Sequence, residues 1–244
     1  MPLLITTSMT SKTIGSALTG NYLTFDAYGT LFDVNSAARE LAEREGFEHL
    51  SEHWIKIATT WRLKQLQYSW LRAITDDHTD FWTVTKEALD FALEEVNLSS
   101  VRTREALLEL YWTLSAYPEV LGVLKSLKAA GFYTSILSNG SLAMIEGAVK
   151  SAGIGEYLDA ILSVDDVGVF KPNSKVYQMV PDRFACAADE VLLVSSNGWD
   201  VAGASGFGFK TLWVNRASEP VDRLPHRPWK IASDLTAVPE VLGL

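Results

Sequence analysis

An acidic side chain follows directly after an apolar segment near the start of the chain. The segment Tyr22–Phe25 has the composition of a buried strand, and Asp26 comes next, with Gly29 shortly after it. Open α/β sheets place their chemistry at the carboxyl ends of strands. A carboxylate at such a position can displace a leaving group and form an ester, or it can simply stabilise a turn. This segment alone supports both interpretations equally.

The residue two positions after Asp26 is Tyr28. An enzyme that transfers phosphoryl groups with this layout needs a second acid at that position, for Mg²⁺ and for protonation of the leaving group. Tyr28 cannot supply it. The substitution therefore argues against a magnesium-dependent phosphatase.

Three further apolar segments are followed by polar residues. Ser138 and Asn139 begin a turn whose hydroxyl and backbone N–H groups can bind a carboxylate or phosphate, or can cap a helix. Lys171 precedes a proline and can neutralise converging carboxylates, although a lone lysine is normally a solvated surface charge. The segment 195–200 ends in Asp200. Four such clusters at the carboxyl ends of parallel strands predict one shared site.

The elements that must position these clusters alternate between strand and helix. Apolar runs predict strands at 22–25, 133–137, 160–164, 191–194 and 211–214, and helical patterns occupy 141–152 and 174–179. Such alternation predicts an α/β fold with a doubly wound, mostly parallel sheet.

Residues 36–115 show a different pattern. They contain no strand-like run, and apolar side chains recur at helical spacing, as at Trp54, Ile57 and Trp61. We therefore expect a helical cap domain at 36–115, inserted into a core domain formed by 21–35 and 116–244. Residues 1–20, rich in Ser and Thr, are expected to be a disordered tail.

Composition narrows the class of partner. The formal net charge of −9 argues against nucleic acid and anionic membranes, and no apolar run reaches the length of a membrane span. The single cysteine, Cys186, excludes an intramolecular disulfide and suits a reducing compartment. A cytoplasmic protein that acts on a small molecule is the expectation.

The motifs together resemble a known family. They are Asp26-Ala27-Tyr28-Gly29-Thr30-Leu31, Leu137-Ser138-Asn139-Gly140, Lys171-Pro172 and Ser195-Ser196-Asn197-Gly198-Trp199-Asp200. This set resembles the haloacid dehalogenase (HAD) superfamily, with its Rossmann-like fold, and more narrowly its L-2-haloacid dehalogenases (type II). The segment 61–72 resembles the cap helix of that subfamily. The resemblance extends from Asn21 to Leu244.

The resemblance implies a hydrolase that converts short-chain (S)-2-haloacids into (R)-2-hydroxyacids. Asp26 would attack C2 of the substrate and form a covalent aspartyl ester, with Thr30 orienting its carboxylate. Ser138 and the backbone N–H groups near Ala27, Tyr28 and Asn139 would hold the substrate carboxylate. Further implied roles are halide stabilisation by Arg62 with the Asn139 side chain, and an apolar pocket lined by Phe81 and Trp199.

The resemblance also implies the residues of the second step. Asp200 would activate a water molecule ordered by Ser195 and Asn197, and that water would hydrolyse the ester. Lys171 would balance the charge of Asp26 and Asp200, with Tyr177 positioning the lysine.

Halide leaves without a proton, so Tyr28 does not impede carbon–halogen cleavage, and neither metal nor cofactor is expected. Three alternatives stay open: a phosphatase-type hydrolase on the same fold, a related enzyme with a shifted substrate, and a homologue that only binds. Homodimerisation is common in the resembled subfamily, but the aromatic side chains of the cap can equally be core.

Overall fold

The computed structural model describes residues 18–244 and contains a six-stranded parallel sheet. Its strands are β1 (Tyr22–Phe25), β2 (Tyr133–Ser138), β3 (Ala160–Ser163), β4 (Val191–Ser195), β5 (Lys210–Val214) and β6 (Lys230–Ala232). Their order is β3-β2-β1-β4-β5-β6. The chain therefore builds the sheet outward in both directions from β1, and the order reverses between β1 and β4. Such a reversal opens a crevice at the carboxyl ends of the two strands.

Helices cover the sheet and fill the long insertion after β1. They are α1 (Ser36–Ala42), α2 (Trp54–Thr75), α3 (Phe81–Glu95), α4 (Val101–Trp112), α5 (Val120–Ala129), α6 (Leu142–Ala152), α7 (Ser174–Phe184), α8 (Gly198–Phe207) and α9 (Ala237–Leu242). Short 3₁₀ helices lie at Glu48–Leu50, Gly155–Tyr157, Val164–Asp166 and Ala188–Glu190. The predicted α/β class and parallel sheet are confirmed.

The central strands form because their side chains are apolar on both faces. Leu192, Leu193 and Val194 of β4 are fully buried, as expected for a parallel strand covered by helices on both sides. In the register of the sheet, Phe25 lies opposite Ile136 on one side and Val194 on the other. The next residue of each strand therefore reaches the same edge, which places Asp26 between β2 and β4.

The segment 36–115 contains α1–α4 and no strand of the sheet, as the helical spacing predicted. Inside it, α2 and α3 pack against each other, and two caps fix helix starts through side chains. Asp80 accepts a hydrogen bond from the Thr83 N–H at α3, and Ser100 accepts one from the Thr103 N–H at α4. We call 36–115 the cap segment; its independence as a domain stays a prediction.

Several elements differ from expectation. Helix α7 continues past the predicted end at 179 and includes Pro181, because Val180 and Pro181 are both buried against the core. Helices α5, α8 and α9 and the edge strand β6 were not predicted; β6 has only three residues and so forms no apolar run. The predicted disordered tail lies outside the described residues, apart from residues 18–20.

Across the described helices, none combines the length and the apolar character that crossing a bilayer requires.

Candidate active site

Asp26 lies immediately beyond β1 with 5% of its surface exposed. Its backbone N–H donates to the carbonyl of Val194 (3.0 Å), which continues the ladder to β4. Its Oδ2 accepts hydrogen bonds from the Thr30 hydroxyl (3.0 Å) and from Asn197 Nδ2 (2.8 Å). The carboxylate is thus held on one oxygen by two neutral donors, and Thr30 makes the contact that the resemblance implied.

The other Asp26 oxygen faces a buried lysine. Lys171 Nζ lies 3.2 Å from Asp26 Oδ1 and 2.9 Å from Asp200 Oδ2, and both Lys171 and Asp200 are fully buried. The three charges sum to minus one in a region without solvent. Burying an unpaired charge costs several kcal/mol, which is comparable to the free energy of unfolding of a whole domain. The charged states of these three groups therefore depend on one another.

The protonation of this cluster follows from burial and charge together. Burial lowers the pKa of Lys171, but the Asp200 and Asp26 carboxylates outweigh it and leave the lysine pKa raised. Burial raises the pKa of Asp200; Lys171 opposes this shift and the charge of Asp26 adds to it, so the net direction is upward. A charged lysine therefore stands beside a carboxylate that is a stronger base than an exposed aspartate.

Tyr177, for which the resemblance implied a role in positioning Lys171, contacts Asp200, the carboxylate that the lysine binds. Its hydroxyl donates to Asp200 Oδ1 (2.9 Å), the oxygen that Lys171 leaves available. Tyr177 lies on α7, which packs against α8, and Asp200 is in the first turn of α8. Burial raises the pKa of the Tyr177 phenol strongly, and the Asp200 carboxylate raises it further. The phenol therefore stays protonated and acts as a donor.

Arg62 reaches the site from α2 and meets Asn197. Its Nη2 lies 3.2 Å from the Tyr28 carbonyl oxygen and 3.2 Å from Asn197 Oδ1. The Nδ2 of Asn197 also donates to the Tyr28 carbonyl (3.2 Å). Asn197 therefore connects the guanidinium of the cap segment with the carboxylate of Asp26. The resemblance had implied that the Asn197 side chain orders a water molecule.

The side chain of Asn139, which the resemblance implied would stabilise the halide together with Arg62, contacts the lysine loop. Its Oδ1 accepts a hydrogen bond from the backbone N–H of Lys171 (2.8 Å), because the turn after β2 lies beside the loop that carries the lysine. The resemblance implied that Ser195 orders water. Its hydroxyl accepts a hydrogen bond from the Asn197 N–H (3.1 Å) and so shapes the turn before α8. Both side chains therefore hold the backbone of neighbouring segments in position.

The expected anion-binding groups lie together next to Asp26. Ser138 is buried at the end of β2, and its Oγ accepts from the Gly140 N–H (3.0 Å), which leaves the hydroxyl proton available. Within residues 18–244, the hydrogen bonds of the chain do not engage the backbone N–H groups of Ala27, Tyr28 or Asn139. Unpaired donors at the ends of two strands are suited to a carboxylate.

Aromatic side chains border this group of donors. The Tyr28 ring is buried, stacks on Tyr111 of α4 (5.7 Å between centroids) and lies 5.9 Å from Phe81. Phe81 in turn contacts Phe170, next to Lys171. Trp199 meets Trp70 of α2 edge to face (5.5 Å). Both predicted pocket residues, Phe81 and Trp199, therefore lie where the cap segment contacts the core.

An apolar cavity of about 530 Å³ adjoins these aromatic side chains. It is lined by residues of α2, α8 and the two loops beside them, including Trp70, Ile74, Phe170, Pro172 and Trp199. The indole N–H groups of Trp70 and Trp199 are buried and have no hydrogen-bond partner among the described residues. The cavity shares Phe170 and Trp199 with these aromatic contacts, whereas Asp26, Arg62 and Asn197 do not line it.

The family of the chain is settled by its match to a family model. Residues 21–208 match the model described as haloacid dehalogenase-like hydrolase, well over half of the chain. The chain belongs to the haloacid dehalogenase-like hydrolases. The resemblance on which the expectations rested is confirmed.

Relatives within this hydrolase family are similar over nearly their whole length. (S)-2-haloacid dehalogenase 1 of Pseudomonas sp. (strain CBS-3) is 43% identical over 221 residues, which are 89% of this chain and 94% of the relative. Among solved structures, a dehalogenase with an intermediate complex has a TM-score of 0.86 at 36% identity, covering 92% of this chain and 98% of that one. The L-2-haloacid dehalogenase from Xanthobacter autotrophicus with chloropropionic acid covalently bound has a TM-score of 0.81 at 33% identity, with coverage of 92% and 98%.

Sequence reasoning missed the interior of the cap segment of this hydrolase. Gln65 is buried on α2 and donates to Thr85 Oγ1 (2.9 Å) and to the Tyr111 hydroxyl (3.0 Å). Tyr111 then stacks on Tyr28, so this network links the helices to the Asp26 loop. A polar residue at i+4 from the buried Trp61 was the available signal, because an unpaired buried amide is costly.

Proposed function

We propose that this protein is an (S)-2-haloacid dehalogenase, a hydrolase that acts on the carbon–halide bond of short-chain 2-haloacids and inverts the carbon. The observation that carries the proposal is the environment of Asp26, which is bonded by Thr30, Asn197 and Lys171 and lies within reach of Asp200 through the lysine. The relatives that match over most of the chain carry the same activity in their names.

In the first step Asp26 is the nucleophile. A carboxylate oxygen forms a bond to C2 of the substrate while the carbon–halogen bond breaks, and the halide leaves with the electron pair. Attack from the side opposite the halide inverts the carbon, so an (S)-haloacid gives an (R)-product. Thr30 and Asn197 fix one oxygen and so orient the carboxylate for in-line attack.

The departing halide is stabilised by Arg62. Its guanidinium is partly buried between the cap segment and the core, where a cation interacts more strongly with a developing anion than it would in water. Asn197 shares this task through its contact with Arg62, beside Asn139, for which the resemblance implied the same role. The apolar side chain of the substrate would lie against Phe81 and Trp199.

The substrate carboxylate would be bound by the Ser138 hydroxyl and the free N–H groups near Ala27, Tyr28 and Asn139. Ala27 and Tyr28 directly follow Asp26 at the end of β1, and Ser138 and Asn139 lie at the end of β2, on the opposite side of Asp26 from β4. Binding the carboxylate there would fix C2 relative to the nucleophile.

In the second step water hydrolyses the ester. The water oxygen attacks the Asp26 carbonyl carbon and gives a proton to Asp200, whose raised pKa makes it the stronger base. Negative charge then develops on the non-ester oxygen of Asp26, where Thr30 and Asn197 donate. Collapse breaks the bond between that carbon and the ester oxygen. The alkoxide of the hydroxyacid takes the proton back from Asp200, and the Asp26 carboxyl group releases the remaining proton.

The donors around Asp26 also argue against a magnesium-dependent phosphatase. Mg²⁺ in proteins is coordinated by carboxylate and carbonyl oxygens. Asp26 Oδ2 and the Tyr28 carbonyl are instead both bonded to Asn197 Nδ2, and the cation between the two carboxylates is Lys171. Residues 18–244 contain no group of three His, Cys, Asp or Glu side chains arranged for a metal.

Two further parts of the proposal concern the molecule as a whole. We treat the cap segment as a domain that closes over the core and brings Arg62 to the substrate. The outward stripe of α2 (Ile55, Leu63, Leu71 and Ile74) would join two copies in a homodimer. A cytoplasmic location fits the single, unpaired cysteine.

The decisive test is halide release from each enantiomer of 2-chloropropionate in the presence of EDTA. We expect release from the (S) form only, unaffected by EDTA, and an (R)-lactate product. Release that requires Mg²⁺, or hydrolysis of a phosphate ester without halide release, would refute the proposal.

The nucleophile is tested with the Asp26→Asn variant, because an amide oxygen is a far weaker nucleophile than a carboxylate. We expect no measurable halide release from freshly prepared protein. Asp189→Asn, an exposed aspartate in a 3₁₀ helix away from the cluster, is the matched control and should keep full activity. Equal activity of the two variants would remove Asp26 from the mechanism.

A further inference from the structure

Arg216 follows the end of β5 by two residues and lies next to the Asp26 loop. It is the fifth case of a polar side chain after a strand of this sheet, and the reaction described above does not use it. Its side chain is 21% exposed, between two connections of the chain. Those connections are the segment 27–35, which leaves β1 for the cap segment, and the segment 113–119, which returns from it.

The two connections run side by side. The Asp33 N–H donates to the Ser115 carbonyl (2.9 Å), and the Tyr117 N–H donates to the Leu31 carbonyl (3.0 Å). Phe32 and Ala116 form an isolated antiparallel bridge. Any movement of the cap segment relative to the sheet must pass through this pair of segments.

Arg216 contacts both of them. Its Nη2 donates to the Thr30 carbonyl (3.1 Å) on the outgoing segment. The same nitrogen lies 2.7 Å from Glu119 Oε1 at the end of the returning segment, and the guanidinium carbon lies 3.7 Å from the centre of the Tyr117 ring. A planar cation is suited to such a combination of carbonyl, carboxylate and aromatic face.

The contact with Thr30 links Arg216 to the nucleophile. The Thr30 hydroxyl donates to Asp26 Oδ2 and accepts from the Ser196 N–H (2.8 Å). It therefore connects the residue after β1 with the residue after β4. Rotation of the Thr30 peptide would move the hydroxyl and with it the carboxylate. Displacements of about 1 Å in a reacting group cost up to ~10²-fold in rate.

We propose that Arg216 is a positioning residue that joins the two connections between cap segment and core and, through Thr30, fixes the Asp26 carboxylate for attack. It touches neither substrate nor the reacting atoms. The inference deepens the proposed dehalogenase function and rests on it for its kinetic effect, but not for its structural effect.

The kinetic test compares Arg216→Met with Arg39→Met. Met keeps the length of the side chain and removes the charge and the donor. Arg39 pairs with Asp33 on the same outgoing segment without a contact to Thr30, so it is a matched control. We expect Arg216→Met to lower kcat on 2-chloropropionate by roughly 10-fold, with KM changed by less than about 2-fold, because Asp26 is misplaced and the carboxylate-binding groups are not. Unchanged kcat in Arg216→Met would overturn the inference.

A double-mutant cycle separates positioning through Thr30 from general loosening of the fold. In a Thr30→Val background, which already lacks the hydroxyl, Arg216→Met should lower kcat by less than about 2-fold further. Additive losses would contradict the route through Thr30. If Arg216→Met does not fold, Arg216→Lys, which keeps the charge toward Glu119, enters the same cycle with the same criterion.

Hydrogen exchange tests the structural effect without any activity. In Arg216→Met, peptides covering 27–33 and 113–119 should exchange faster than in the wild type, while those covering α6 do not change. Arg39→Met should leave the 113–119 peptide as in the wild type. Unchanged exchange in both segments would overturn the inference even if the protein releases no halide. Wild-type protein without halide release, but with this exchange pattern, would refute the proposed function and keep the role of Arg216.

Discussion

At the scale of single residues, Lys171 determines what the two acids can do. Its ammonium lies between Asp26 and Asp200, and each of the two keeps a second set of donors on its other oxygen. Those donors are neutral for both acids, but Asp200 has a single tyrosine hydroxyl whereas Asp26 has a threonine and an amide. In the proposed mechanism, Asp26 is accordingly the oriented nucleophile and Asp200, whose pKa is raised, is the base.

The role of Asp200 predicts where the reaction stops without it. In Asp200→Asn, halide should still be released once per active site, but ester hydrolysis should slow by about 10²–10⁴-fold because no base remains. Intact-protein mass spectrometry after rapid quenching should show the mass of the substrate bound as an ester, and peptide mapping should place it on Asp26. Loss of the first halide burst, with the protein folded, would show that Asp200 acts before the ester forms.

The pKa of Asp200 predicts the acid limb of the second step. Burial raises this pKa, so on acidification the carboxylate takes up its proton at a higher pH than an exposed aspartate with the ordinary value of 3.8. As the pH decreases, the rate constant for hydrolysis of the aspartyl ester should accordingly begin to fall at a pH above that ordinary value. Rapid-quench measurements across the acid range check this. A limb at the ordinary aspartate value would be inconsistent with Asp200 as the base.

At the scale of elements, helix α2 has one side packed inside the protein and an opposite side exposed to solvent. In α2, Trp61, Gln65 and Ser69 are buried at intervals of four, and Arg62 is displaced from them by one residue toward the core. The opposite stripe is exposed, and Ile74 is 80% accessible. Helical periodicity alone therefore places the arginine beside the site and the apolar stripe in solvent.

The position of Arg62 on this helix predicts a loss of rate without a loss of fold. Arg62→Ala should lower kcat by about 10²–10³-fold, since a charged donor to the departing halide is removed. Lys64→Ala, two residues away, is the control: its ammonium contacts Gln67 and the Phe91 ring instead of the site. Rates are compared by halide release, and folding by circular dichroism. A similar, small effect in both variants would exclude the halide role of Arg62.

At the scale of the molecule, the reversal of strand order assembles the site. β1 adjoins both β2 and β4, so the turn with Ser138 and Asn139 and the turn before Asp200 lie on opposite sides of Asp26. The cap segment is inserted after β1, where its two connections lie next to the crevice. The topology of the sheet therefore places these connections and the groups around Asp26 at the same edge.

The exposed stripe on α2 predicts the oligomeric state. Stable interfaces bury about 1,200–2,000 Å² and exclude apolar groups from water, so we expect a homodimer at micromolar concentration. Light scattering after size exclusion should show a dimer for the wild type and a monomer for Leu71→Glu with Ile74→Lys. Ile231→Lys, which alters an exposed isoleucine on β6, should leave the mass unchanged. A monomeric wild type would contradict the prediction.

The local features of the protein were determined by its sequence. Apolar runs and helical spacing predicted the strands β1–β5, the helical cap segment and polar clusters after four of these strands, because these patterns depend on neighbours a few positions apart. The family motifs brought Asp26, Lys171 and Asp200 to one sheet edge, and the structure places them within hydrogen-bond distance of each other through the lysine.

Only the tertiary structure decided which side chain meets which. Arg62 and Asn197 are 135 positions apart, and Arg216 and Thr30 are 186 apart. Tyr177 contacts Asp200, Asn139 contacts the Lys171 backbone, and Asn197 contacts Arg62. Each contact forms because two elements pack side by side. Contacts of this kind follow from the relative placement of helices and loops on the sheet, to which no local pattern in the chain corresponds.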